Sequence, residues 1–226
     1  MLHYSVTYNK LDIARLFLGS HADPNVRNSK GNTPLHIAAM KECYDLSQLL
    51  LDFGARLDEK NSDGDQAIHL SFPHIGGTRT PDLLLAHGAD LEARGAHEFT
   101  PLHCAVVSLN EDAVEMLIDR GANVEALDEW GITPLYGAVM LTTELNYSTR
   151  TDVVRSLLLR KANPNAKEHN GDTLLHYAVK AGQLDVAKLL IQFGANPDQL
   201  NNDGQTPAAI AAINKDDQML AVLRPA

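Results

Sequence analysis

The chain has 226 residues, 44% of them hydrophobic and 21% charged, with a net charge of −10. That balance fits a folded domain and not a disordered segment. It lacks the Lys and Arg excess that grips phosphate backbones or anionic lipids, so neither nucleic acid nor a membrane surface is expected as a partner. Two cysteines, Cys43 and Cys104, are too few for a disulfide framework. No stretch approaches the roughly 18 apolar residues of a membrane span. No basic head followed by an apolar run opens the sequence, so a reducing location, cytoplasmic or nuclear, is expected.

In chain order the sequence repeats itself. Thr33-Pro34-Leu35-His36 returns as Gln66-Ala67-Ile68-His69, Thr100-Pro101-Leu102-His103, Thr133-Pro134-Leu135-Tyr136, Thr173-Leu174-Leu175-His176 and Thr206-Pro207-Ala208-Ala209. The third residues of these motifs are spaced by 33, 34, 33, 40 and 33. A step of 33 back from Leu35 reaches Leu2, which is followed by His3. Seven units are therefore expected in one repeat domain, near 1–27, 28–60, 61–94, 95–127, 128–167, 168–200 and 201–226. A period of this length signals a stacked solenoid, where each unit buries its apolar face against its neighbours.

The chemistry inside a unit is legible. In the second unit Thr33 can cap a helix by accepting a free backbone N–H, and Pro34 suits the first helical position. A short helix is predicted over 33–41, and another over about 45–53, where Leu46, Leu49, Leu50 and Phe53 fall at helical spacing. Gly54 ends it, because the left-handed backbone after a helix favours glycine. Ala55 to Gly64 is polar, carries turn chemistry and reads as a hairpin-like finger.

Some units depart from the pattern. The third lacks the Thr cap and the Pro, and carries Pro73 and Gly76-Gly77 between its helices, so it should be the softest. The fifth holds about seven extra residues near 142–150, expected as a surface loop with Tyr147 as an available contact, and Lys161 replaces its closing Gly. In the last unit Asp216, Asp217 and Gln218 suit an outer capping face. The first offers Leu2, Val6, Ile13 and Leu16 without a polar shield, which favours an array that continues upstream or begins at an unusual start.

The Thr-Pro-Leu-His motif, the leucine run and closing segments such as Gly88-Ala89-Asp90, Gly121-Ala122-Asn123 and Gly194-Ala195-Asn196 together resemble the ankyrin repeat family, over essentially the whole chain. The resemblance implies an all-α solenoid of paired antiparallel helices, with first helices lining a concave face and loops projecting beside them as fingers. It also implies a monomeric, non-catalytic scaffold for protein–protein interaction, without cofactor or metal. The alternative is an adaptor or targeting segment of a larger protein whose enzyme, channel or degradation domain lies outside this chain.

The reactive residues fit that reading. His3, His36, His69, His103 and His176 hold the motif's fourth position, where the resemblance implies hydrogen bonds to backbone and threonine groups. No second Cys or His stands at zinc-ligand spacing from His103-Cys104. There is no glycine-rich phosphate loop, Gly-x-Ser-x-Gly or His-Glu-x-x-His. Cys43 falls near a helix start, where a thiolate is favoured, but without an accompanying base it is expected to be inert. The resemblance also marks Asn25 and Asn165 as positions open to hydroxylation in some organisms, although a plain turn role accounts for them.

Repeat arrays keep framework positions for stacking and free others for partners. The freed positions of units four and five are unusually apolar: Phe99, Val107, Trp130, Ile132, Met140 and Leu141, accompanied by His97 and Glu129. These are the expected partner contacts, on one contiguous patch flanked by Asp63, Asp65, Glu98, Asp128 and Asp172. Such a surface suits a protein or peptide with apolar anchors beside basic residues. The competing role for the aromatics is packing between fingers.

Overall fold

The computed structural model describes residues 1–72, 77–141, 147–167 and 170–224, with backbone alone for 147–149. Pro73, His74, Gly76, most of the fifth-unit insertion, the Tyr147 side chain and His169 lie outside the described residues.

Helices come in pairs: α1 (Leu2–Thr7) with α2 (Leu11–Gly19), α3 (Pro34–Met40) with α4 (Tyr44–Asp52), α6 (Pro101–Val107) with α7 (Glu111–Asp119). The series continues with α8 (Pro134–Met140) and α9 (Tyr147–Leu159), α10 (Leu174–Lys180) and α11 (Leu184–Gln192), α12 (Pro207–Ile213) and α13 (Asp217–Leu223). Before α5 (Arg79–Ala86) the described residues hold a 3-10 helix, Ala67–Leu70. Among the described residues there is no strand, and one isolated bridge joins Lys167 to Thr173. The chain groups into two compact units, Met1–Asn123 and Val124–Ala226.

The first helices start where the chemistry predicts. Thr33, Thr100, Thr133, Thr173 and Thr206 each accept the backbone N–H three residues on. Each such cap contributes about 1 kcal/mol. Gln66 gives no such cap bond, and the third unit's first helix shrinks to the four residues of the 3-10 turn. The apolar faces then stack: α1 packs on α2 and α3, α3 on α4, and α10 on α8, α11 and α12. Leu35, Leu46 and Leu50 in the first unit, and Leu157, Leu175 and Leu190 in the second, are fully buried. Each leucine so placed contributes about 2 kcal/mol of hydrophobic stabilisation.

The expected loop through Arg150 ends earlier than predicted. α9 begins at Tyr147 and runs 13 residues, against nine for α4, α7 and α11. The insertion lengthens a helix, and Arg150 is buried beside Gly182, Gln183 and Val186. Lys161 takes φ +70, in the slot where Gly54, Gly88, Gly121 and Gly194 also have positive φ.

Candidate functional site

The fingers are held to the helices by histidine. Thr33 N–H donates to His36 Nδ1 at 3.1 Å, which leaves the ring proton on Nε2, 2.9 Å from the carbonyl of Asp65. His176 does the same between Thr173 N–H and the carbonyl of Gln205, at 3.1 and 3.0 Å. His69 keeps the arrangement without the threonine, between Gln66 N–H and the Ala93 carbonyl. His3 reaches the Asn32 carbonyl at 2.9 Å. Each ring therefore ties one helix start to the following finger. Burial lowers the pKa of His36, against a partial rise from its bond to the Asp65 carbonyl.

Within a finger, an Asn or Asp at the first position fixes the turn. Asn28 Oδ1 accepts Lys30 and Asn32 N–H, and Asn61 and Asn201 repeat this two and four residues on. Asp128 Oδ1 accepts Trp130 N–H at 2.9 Å and Ile132 N–H at 2.8 Å. A glycine in the left-handed region follows: Gly31, Gly64, Gly131, Gly171 and Gly204. Neighbouring fingers are also joined, as by Ser62 N–H to the Lys30 carbonyl and Asn202 N–H to the Asn170 carbonyl, both 3.1 Å.

The finger at 95–99 breaks both rules. Gly95 replaces the anchoring Asn or Asp, and Glu98 stands in the glycine slot at φ +58, beside His97 at φ +55. A Cβ on Gly95 would run into the Asp65 carboxylate and the His69 ring. Asp65 instead reaches across from the preceding finger to accept Ala96 N–H at 2.8 Å. Non-glycine residues in the left-handed region are strained, and such strain concentrates at functional segments.

The predicted contacts divide between the two compact units. In the first, His97 is exposed, Val107 is 42% exposed and Phe99 is half-buried. The Phe99 ring stacks on His103 at 5.4 Å and meets the His97 ring edge-on at 6.1 Å. In the second, Glu129 is exposed, Ile132, Met140 and Leu141 are half-buried, and Trp130 is 51% exposed. Three of the expected acidic flanks are engaged inside the molecule. Asp65 and Asp128 hold finger amides. Asp172 is buried and accepts from Lys180 Nζ and Asn201 Nδ2. Burial works against its carboxylate, but the bonds from Lys180 and Asn201 outweigh it and hold its pKa below the ordinary value. Asp63, Glu98 and Glu129 remain exposed.

Sequence reasoning passed over Leu127 and Leu200, each 52% exposed on the second unit's fingers. Their register was the available signal, because Arg27, Lys60, Arg94 and Lys167 fill the same slot in other repeats. Leu127 and Trp130 thus flank Asp128 and Glu129 on one finger.

The thiols carry no activation. Burial pushes Cys43 up, and Cys104 up to about 12. Among the described residues no group of three or more His, Cys, Asp or Glu is placed to hold a metal ion, and no helix is long and apolar enough to cross a membrane.

Comparison with known proteins places this geometry. The family profile described as Ankyrin repeats (3 copies) matches residues 2–94 and 139–225, and the single Ankyrin repeat profile matches 97–129. The B-cell lymphoma 3 protein homolog of Mus musculus is 32% identical over 221 residues, covering 93% of this chain and 47% of that protein. Rabankyrin-5 of Mus musculus is 28% identical over 191 residues, covering 83% of this chain and 16% of that protein. The chain thus spans less than half the length of these relatives. The crystal structure of the Bcl-3 ankyrin repeat domain, described as a unique member of the IkappaB family, superposes with a TM-score of 0.82 at 30% identity, covering 99% of this chain and 97% of that one. The human ASB11 ankyrin repeat domain gives 0.84 at 23% identity, covering 100% of this chain and 98% of that one, a likeness of fold. The chain belongs to the ankyrin repeat family, whose repeats generally mediate protein–protein interaction and are typically non-catalytic.

Proposed function

We propose that this chain is a non-catalytic scaffold inside the cell that binds a partner protein through the fingers and first helices of its fourth and fifth repeats. One observation carries the reading: Trp130 and Leu127, both about half exposed, project from a single finger whose backbone Asp128 fixes. Exposed tryptophan on a pre-ordered loop is a frequent energetic centre of an interface, because little ordering remains to be done on binding. Ile132, Met140 and Leu141 supply adjoining apolar surface within the second unit, and Glu129 an exposed carboxylate. His97, Phe99 and Val107 supply further contacts on the first unit. The partner's matching chemistry is apolar anchors with Lys or Arg beside them.

The test is partner affinity for Trp130→Ala and Leu127→Ala, with melting temperature measured alongside. Affinity falling at least about tenfold in each, with melting unchanged, is the expected result. Unchanged affinity in both contradicts the reading. The alternative, an adaptor segment within a longer protein, draws support from the small share of its relatives that the chain spans. The full reading frame decides it.

A further inference from the structure

We propose that Asn170 is a self-modifying site, where the Gly171 backbone nitrogen and then water convert the side-chain carboxamide to a carboxylate. The third slot of the finger holds Lys30, Asp63, His97, Trp130, Asn170 and Asp203, and Asn170-Gly171 is the one Asn-Gly pair in the chain. Asn before Gly is the pair most open to ring closure, because no Cβ hinders the following nitrogen. Packing requires that glycine. Its φ is +78, and a Cβ there would run into Asn202. The pair is thus built into the joint between the sixth and seventh fingers, where Asn202 N–H donates to the Asn170 carbonyl at 3.1 Å.

The exposed Asn170 side chain is held in a reactive arrangement. Its Oδ1 accepts the Asp172 N–H at 2.8 Å, which folds the carboxamide back over the intervening Gly171 peptide. That N–H points at the oxygen on which negative charge develops when a nucleophile adds to Cγ. Nδ2 donates to Asp172 Oδ2 at 3.2 Å, and Lys180 Nζ donates to the same oxygen. Asn201 Nδ2 holds the other carboxylate oxygen at 2.8 Å. A proton path therefore runs from the Lys180 ammonium to the leaving nitrogen. The Gly171 nitrogen bonds to Cγ and gives its proton to water. The Cγ–Nδ2 bond breaks, and Nδ2 leaves as ammonia with a proton passed from Lys180 through Asp172. Water returns a proton to Lys180, and no oxidant or reductant is needed. One water then opens the five-membered imide at either carbonyl, which leaves aspartate or isoaspartate at 170. Either product sets a second negative charge near Asp172 in place of a donor. Isoaspartate also reroutes the backbone through Cβ and Cγ, away from the carbonyl that Asn202 holds. The modification loosens the sixth finger from the seventh.

Peptide mapping by mass spectrometry, after incubation of the full chain at neutral pH in heavy-oxygen water, tests this. Conversion at Asn170 with label incorporated is expected, at least about tenfold faster than at any other asparagine. It should also run faster in the folded chain than in the same chain unfolded in urea, and the converted chain should melt lower. Asp172→Asn should slow conversion toward the unfolded rate. Lys180→Met serves as a second variant should the first disturb folding, with melting curves as the control. An Asn170 that stays intact, or converts no faster folded than unfolded, overturns the proposal. Wild-type rates in folded Asp172→Asn and Lys180→Met overturn it equally.

Discussion

The fingers at 95–99 and 128–132 share one register and are built by opposite means. In the second, Asp128 anchors its own turn and Gly131 takes the left-handed position. In the first, the anchor is borrowed from Asp65 on the preceding finger, and Glu98 endures the backbone that glycine would take freely. Their aromatic residues differ accordingly. Phe99 stands in the last slot, aligned with Ile132, and its ring lies on the cap histidine of its own helix. Trp130 stands two residues earlier, aligned with His97, and stays half exposed. The difference teaches that the slot decides whether a finger aromatic supports the frame or faces solvent.

Substitutions can break or sharpen that contrast. The largest effect is expected at Gly95→Ala, which should destabilise the chain by about 2 kcal/mol, because the new Cβ displaces the Asp65 carboxylate and the His69 ring. In the glycine slot, Gly31→Ala is no control, since Ser62 stands close there, but Gly131→Ala meets open space and should lose only about 1 kcal/mol through its positive φ. Chemical denaturation measures both, and equal losses would erase the distinction between borrowed and local anchoring.

Phe99→Ala should lower stability by about 1 kcal/mol, the order of an aromatic stack with partial burial. A neutral result would move Phe99 from the frame to the free surface. Glu98→Gly should raise stability by about 0.5 kcal/mol, since relief of strain is partly offset by the freer unfolded chain. A loss in its melting temperature would mean that the Glu98 side chain makes a compensating contact.

The smallest expected effect is one of pH. His36 holds the carbonyl of Asp65, whose carboxylate in turn holds the finger at 95–99. Its folded pKa lies below the ordinary 6.5, so the unfolded state binds the proton more readily. The stability from keeping it neutral is complete above about pH 6.5 and is lost as pH falls through the lower folded value. Thermal melts at neutral and mildly acidic pH should show a drop that His36→Gln reduces.

The repeats, the helix pairs and the histidine ties were legible because local rules agree there: a Thr cap, an N1 proline and leucines at helical spacing. Trp130 was legible as an outlier at a freed position. Other features depended on contacts across repeats. Nothing adjacent to Asp65 or Asp172 in sequence announces that one serves a finger 31 residues away and that the other is clasped by Lys180 and Asn201. The helical start of α9 was hidden by an insertion that breaks the register used to align everything else. Leu127 was visible in principle, as a lone apolar residue in a column of cations, once the fingers are compared slot by slot.

The central claim is that the finger at 127–132 carries the main partner contact, at Trp130, while Phe99 on the finger at 95–99 chiefly supports the frame and adds a lesser contact. Quantitative affinity capture from cell lysate with the wild-type chain, Trp130→Ala and Phe99→Ala, alongside melting curves, tests it most directly. The account predicts that Trp130→Ala melts like the wild type and loses a captured protein, whereas Phe99→Ala melts lower and keeps more of it. Retention of every captured protein by Trp130→Ala would contradict it.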